Sequence, residues 1–404
     1  MNTHPTQSLP ALRSFLENHL LESVLPFWTT HAIDEAGGIN TCIADDGTLI
    51  NRDKWLWSQW RAVWVFASLC TMVEPRPEWL EIARHIYRFC TRHGWDDQVG
   101  GWVLRVSGDG EVLDGCDSIY VDAFAIYGLV ALAKATKEDG VVALARKTAD
   151  HVLHRLEEPH DQIPHYPYPI PKGAKVHGIS MMFALVLWEL GQLLDDDRYR
   201  NAAIGCCDDV FDHFYRRDRD LVLERIAADN SEFPPPRGTA VVPGHAIESM
   251  WFQIHIARDR NDRDRIDLAC RLIRRHIELG WDPEHGGGLL LAIDADSGAP
   301  APDAGWKFSD TKLWWPQTET LYALLLAYEQ GRESWALDWY DKVHEYAFAH
   351  YPVRGHGEWR QKLNRDGTPR SEIIALPVKD PFHLPRALLY CIDVLGRLTG
   401  SEGT

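Results

Sequence analysis

The sequence predicts an all-α fold, a closed (α/α)6 barrel of six helical hairpins with short β-hairpin insertions, on three observations. A unit recurs along the 404 residues: a helical stretch, a Gly- or Asp-rich turn, a short apolar strand-like piece, and a second turn into another helix. Its copies are about 60–70 residues apart, which leaves room for two helices and a hairpin in each. Two stretches, "AFAIYGLVALAKAT" and "SMMFALVLWELGQLL", are apolar nearly all round, as helices of an inner layer must be. No Pro/Gly/Ser-rich linker divides the chain, so residues 1–404 are read as one domain. With so few units and such apolar helices, closure into a double-layered ring buries more than an open solenoid would.

In chain order, the first turn copy is "DEAGGINTCIADDGTLI", followed by the Trp-rich helix "NRDKWLWSQWRAVWVFASL". "WLEIARHIYRFCTRHG" follows and ends at Gly, a C-cap signal. "WDDQVGGWVLRVSGDGEVL" is the second copy, leading into the first all-apolar helix. A double gap comes next, filled by the Pro-rich "EPHDQIPHYPYPIPKG" before the second apolar helix. "YRRDRDLVLERIAADN" is a weaker copy, and Pro243 and Gly244 then break the chain. Ala246, Ile247, Met250 and Trp251 take up helical spacing. "WDPEHGGGLLLAIDADSG" precedes "KLWWPQTETLYALLLAYEQG", again closed by Gly, and "GHGEWRQKLNRDGTP" precedes the last helix, within "PVKDPFHLPRALLYCIDVLG".

The composition excludes several partners. A formal net charge of −17 with no dense basic stretch argues against nucleic acid and anionic membranes. The N-terminal stretch lacks the basic and apolar regions of a signal peptide, and no apolar run is read as reaching transmembrane length. The eight Cys are scattered without a CxxC pair, which points to reduced thiols and a cytoplasmic protein. Seventeen Trp, several beside polar groups, suit a carbohydrate, whose C–H faces stack while its hydroxyls hydrogen-bond.

If every hairpin turn falls at one end of the barrel, the inner-helix starts form one central pocket. "VVPGHAIESMWF" puts His245 and Glu248 one turn apart on one face of such a start. Glu248 complements the helix dipole there, or it works with His245. Arg61 lies inside an apolar helix, where it either completes a buried salt bridge or anchors a substrate oxygen. Trp314, Trp315 and Glu319 gather around another helix start, with Glu319 either a cap or a substrate contact. His383 sits between two prolines just before the last helix, a position that also suits a cap.

The segments "WLWSQWRAVW", "VVPGHAIESMWF", "GWDPEHGGGLL", "KLWWPQTETLYALLLAY", "GEWRQKLNRDG" and "FHLPRALLYC", in that order, resemble the N-acylglucosamine 2-epimerase family from about Asp53 onward. That family also contains cellobiose and mannose 2-epimerases and aldose–ketose isomerases, and its members are (α/α)6 barrels. The resemblance implies removal of the C2 proton of an open-chain sugar and its return to the other face. His245 and His383 would then be the two bases, Glu248 would orient His245, and Arg61 would hold the developing oxyanion. Trp315, Glu319, His177, Trp314 and Tyr120 are the expected sugar-binding residues. Such a proton transfer needs no redox cofactor or metal, and neither an HExxH motif nor a Cys/His cluster is present. A homodimer is left open.

One departure bears on the reaction. The isomerases and cellobiose epimerases of the family carry a His about where "HGISMMFAL" has Met182, while N-acylglucosamine epimerases have a Met pair there. This favours 2-epimerisation over isomerisation, although His177 lies about one turn earlier and, if it does not cap its helix, is a substitute. Two rival readings are an (α/α)6 glycoside hydrolase, drafting Asp117, Asp122 and Glu319 as carboxyls, and a binding protein without chemistry. Both leave the paired histidines unexplained. The loop near Val103 to Gly115 and "FPPPRG" are expected to set substrate size.

Overall fold

The computed structural model describes residues 4–302, 307–374 and 376–400. Six helices form an inner ring: α3 (Leu56–Met72), α5 (Ile119–Thr136), α7 (His177–Leu194), α9 (Pro243–Asp259), α11 (Trp314–Gly331) and α13 (His383–Gly400). Each packs on the next, and α13 packs on α3 to close the circle. The outer layer is α4 (Pro77–His93), α6 (Asp139–Arg155), α8 (Asp197–Asp209), α10 (Arg263–Gly280) and α12 (Ser334–His350). The sixth outer position is taken by α1 (Leu9–His19), which continues through a π turn (Leu20–Val24) into α2 (Leu25–His31) and packs on α13. One hairpin of the barrel is therefore assembled from the two ends of the described chain.

Sequence chemistry separates the layers. In α5 every residue from Val121 to Ala133 is buried, so the helix is apolar all round. In α10 burial follows a stripe through Ile266, Ala269, Ile273, Ile277 and Gly280, with Arg and Asp on the far side. Each fully buried Leu or Ile of that stripe contributes about 1.5–3 kcal/mol. Asp262 caps the first turn of α10 through the Arg265 amide. α5 and α7 are each long and apolar enough to cross a bilayer, which the sequence reading did not allow for; in the barrel both are mostly buried in the ring. Gly94 and Gly331 do not act as left-handed caps. Gly331 is the last residue of α11 and Arg332 takes the left-handed turn at φ 54°, whereas Gly94 keeps a negative φ and leaves room for Leu56, into which a Cβ there would run.

The β insertions staple the ring at one end. Lys54–Trp55, just before α3, pairs with Arg105–Val106 of the next unit. Ser118 before α5 bridges His165, and Ala174–Val176 before α7 pairs with Arg225–Ala227. Ala240–Val241 before α9 pairs with Ile293–Asp294, and Lys312–Leu313 before α11 pairs with Lys362–Leu363. The Lys379 amide, before α13, donates to the Thr41 carbonyl of the first unit. Every inner-helix start is thus tied to the loop of the following unit, which fixes the positions of the side chains in its first two turns.

Candidate active site

Those six starts surround one cavity of about 240 Å³. His245, on the first turn of α9, and His383, which opens α13, both border it. Each imidazole is held by a carboxylate. His245 Nδ1 donates to both oxygens of Glu224, at 3.0 and 3.1 Å, and His383 Nδ1 donates to Glu319 Oε1 at 2.7 Å. Among the described residues no hydrogen bond engages Nε2 of either ring, so Nε2 is the basic nitrogen in both. The Trp315 indole lies against both rings, with centroids 5.1 Å from His245 and 5.6 Å from His383. Gly244 makes the first of these contacts possible, because a Cβ there would run into the indole. Burial disfavours the His245 imidazolium. The charge and hydrogen bond of Glu224, with Glu248 behind, outweigh that and raise its pKa above 6.5.

Glu248 does not orient His245. It borders the cavity one turn further on, but its carboxylate is held by Arg386 Nη2, which also donates to Glu319 Oε1 at 2.8 Å. Arg386 is 1% exposed and lies over the Trp251 and Phe382 rings. Glu319 is correspondingly no substrate contact and no cap. It stands behind His383 and accepts from Trp251 Nε1 at 2.9 Å. Burial alone would raise the Glu319 pKa, and the charges of Arg386 and His383 bring it below the ordinary carboxylate value. Ligand atoms of Glu248, Glu319 and His383 lie close enough to hold a metal ion. Arg386 already supplies the positive charge on both carboxylates.

Arg61 completes the buried salt bridge and also reaches the cavity. Its Nη1 donates to Asp380 at 2.8 Å, its guanidinium lies 4.0 Å from the Phe124 centroid, and it borders the cavity. Among the described residues its Nε is buried without a partner, as are Trp57 Nε1, Ser58 Oγ and Trp314 Nε1, all on cavity-lining residues. Buried donors with no protein acceptor suit a ligand rich in hydroxyls. Asp380 also accepts from the Phe382 and His383 amides, fixing the start of α13. Tyr120, Trp314, Trp315 and Met182 border the cavity. His177 does not border it and is no cap. Its ring is buried behind α9 against Ser249 Oγ at 3.0 Å, and burial lowers its pKa to about 4.

The chain matches the model of the family described as N-acylglucosamine 2-epimerase (GlcNAc 2-epimerase) over residues 37–386. The chain belongs to this family. N-acylglucosamine 2-epimerase of Mus musculus is 30% identical over 387 residues, covering 94% of this chain and 90% of the mouse protein. Cellobiose 2-epimerase of Eubacterium cellulosolvens is 22% identical, covering 93% and 96%. The structure of cellobiose 2-epimerase from Spirochaeta thermophila superposes with a TM-score of 0.82 at 23% identity, covering 97% and 98%. The fold is the (α/α)6 barrel, and the protein is an enzyme of the racemase and epimerase kind.

Four residues of the site escaped the sequence reading: Glu224, Arg386, Asp380 and His165. Arg386 carries the signal that marked Arg61, a lone Arg in an apolar helix. Asp380 stands just ahead of the last helix, and its carboxylate accepts from the Phe382 and His383 amides much as an N-cap side chain accepts from a first turn. Glu224 sits in a weaker turn copy, at the bend between two short strands, with no periodic link to His245. His165 lies in the Pro-rich segment that breaks the repeat.

Proposed function

We propose that this protein is a sugar 2-epimerase that interconverts the C2 epimers of an aldose of the N-acylglucosamine/N-acylmannosamine or glucose/mannose type. The observation that carries the reading is the pair of imidazoles bordering one cavity, each with Nδ1 fixed by a buried carboxylate and Nε2 open. A C2 proton α to a carbonyl needs a base near neutrality on one side and an acid on the other. One histidine, neutral, takes the proton; the other, as imidazolium, returns one to the opposite face, and the roles exchange for the reverse reaction. The positive charge of Arg61, whose side chain borders the cavity, stabilises the oxygen on which negative charge grows. The cavity is smaller than the ~300–1,000 Å³ usual for drug-sized ligands, which favours a single sugar over a disaccharide.

The geometry weakens the hydrolase alternative. Glu224, Glu248 and Asp380, the cavity carboxylates, are bonded to His245, Arg386 and Arg61 respectively, so none is free to act as an acid. Asp122 is buried against the Trp102 amide and Asp117 is exposed outside the cavity. Aldose–ketose isomerisation is the second reading, favoured by His165, a third imidazole on the cavity wall. Met182 argues the other way, because a thioether cannot carry a proton near C1 at neutral pH. Incubation of N-acetylglucosamine, N-acetylmannosamine, glucose and mannose in D2O separates the two. The epimer with deuterium at C2 and little ketose is expected. Ketose as the main product, deuterated at C1, supports the isomerase, and no exchange with any sugar overturns both.

A further inference from the structure

We propose that Tyr120 and His165 form a proton-relay pair that opens and recloses the sugar ring, so that the pocket also interconverts the α and β anomers of its aldose. The inference rests on the epimerase reading for its substrate. An aldose in water is almost wholly a cyclic hemiacetal, and its C2 proton becomes acidic only when C1 is a free carbonyl. Opening the ring moves a proton from O1 to O5. Both oxygens are bonded to C1, so a single protein atom can serve both.

Tyr120, on the first turn of α5, presents its hydroxyl 2.7 Å from His165 Nε2. His165 Nδ1 is 2.8 Å from the Tyr168 carbonyl oxygen, which only accepts. Nδ1 therefore carries the proton, Nε2 accepts, and the Tyr120 hydroxyl donates, which leaves the phenol oxygen with lone pairs to take a proton from the sugar. Tyr120, His165 and Tyr168 all border the cavity. Tyr168 is itself tied by its hydroxyl to the Ile374 carbonyl at 2.9 Å, so the segment bearing His165 is fixed to the loop before α13. Burial raises the phenol pKa and lowers that of the imidazole, so the resting pair is neutral. The space for the hydroxyl is provided by Gly178, where a Cβ would collide with it. A glycine on the first turn of a helix sacrifices stability, and here it sits against the one atom the relay needs.

In the forward step Tyr120 Oη takes the O1 proton while passing its own to His165 Nε2. The O1–H electron pair forms the C1=O1 double bond, the C1–O5 bond breaks, and its electron pair goes to O5. Tyr120 then gives its proton to O5 and is reprotonated by the His165 imidazolium, which restores the pair. Closure runs the same steps in reverse, and attack on the other face of C1 gives the other anomer.

The test follows freshly dissolved α-D-glucose and N-acetyl-α-D-glucosamine by NMR at low buffer concentration, with C2 deuteration in D2O scored in the same samples. The native protein is expected to speed anomer exchange at least about tenfold over buffer, within what one acid–base group supplies. Tyr120→Phe and His165→Asn should each remove most of that gain, and so should Gly178→Ala, which leaves both partners in place but displaces the hydroxyl. In Tyr120→Phe the isotope effect of C2-deuterated substrate on turnover should fall towards unity, because ring opening then limits the rate; mere structural damage would leave it intact. His245→Asn should abolish C2 exchange and keep anomer exchange. Anomer exchange at the buffer rate in the native protein, or unchanged in the Tyr120 and His165 variants, overturns the proposal whatever happens at C2. Fast anomer exchange without C2 deuteration in the native protein overturns the epimerase reading and leaves the relay standing.

Discussion

Replacing Glu224 by Gln keeps the size of the side chain and an oxygen that can accept from His245 Nδ1, but it removes the charge. That charge is what raises the His245 pKa against burial. With the ring nitrogen 3.0 Å from the nearer oxygen, the centres of the two charges are about 4 Å apart, worth about 4 kcal/mol at an effective dielectric of about 20. At about 1.4 kcal/mol per decade, turnover should fall roughly 10²- to 10³-fold in the direction in which His245 must hold a proton. In that direction the high-pH limb of the rate profile, set by loss of the His245 proton, should move to lower pH, and in the other, where His245 takes the proton, the low-pH limb should do so. C2 deuterium incorporation, measured from each epimer across pH 5 to 9, reads both effects. Glu248→Gln serves as the comparison: its carboxylate is tied to Arg386, so the low-pH limb should move less. Turnover within threefold of native in Glu224→Gln, with an unmoved limb, would refute the assignment of Glu224 as the partner of His245.

Arg61→Lys keeps a positive charge but loses the planar contact with Phe124 and the fork that reaches Asp380, so catalysis should fall far more than the unfolding midpoint; unchanged turnover sinks the role given to Arg61. Arg386→Met leaves Glu248 and Glu319 buried without their cation, at a cost of about 3–5 kcal/mol in denaturant unfolding, and an unmoved midpoint would contradict the network. Acid should destabilise the fold in a defined window. Burial lowers His177 and His276 to about 4, while an unfolded imidazole protonates near 6.5, so the unfolded chain binds more protons as pH falls. Stability is therefore full above pH 6.5 and lost towards pH 4, by about 2 kcal/mol per histidine at pH 5, and equal urea midpoints at pH 7 and pH 5 would refute this.

The barrel was legible because its units announce themselves twice, in the Gly- and Asp-rich turns and in helices too apolar to face water. The places of Arg61, His245 and His383 at the cavity were legible because each sits at or near an inner-helix start, where chemistry and helical periodicity coincide. The pairing of His245 was not. Glu248 shares its helix face at the right spacing, and nothing local discounts it. What decides the matter is Arg386, which comes from 138 residues further on and holds Glu248, while Glu224 reaches His245 from a bend between two short strands of the preceding loop. Helical periodicity ranks neighbours along one element and is silent about charges delivered by another. The same limit explains His177, correctly placed at the start of α7 and yet turned behind the wall against Ser249.

The hairpin that α1 shares with α13 has a consequence for the order in which a working molecule appears. Five of the six units are contiguous in the chain and can begin to form during synthesis, but the ring has no seal until its last helix has left the ribosome. That helix opens with His383 and carries Arg386 one turn later. A nascent or prematurely terminated chain thus holds His245 and Glu224 beside an unsealed, greasy inner wall, with neither His383 nor the cation that neutralises Glu248 and Glu319. Incomplete product displays the apolar surface by which chaperones and proteases recognise unfinished protein.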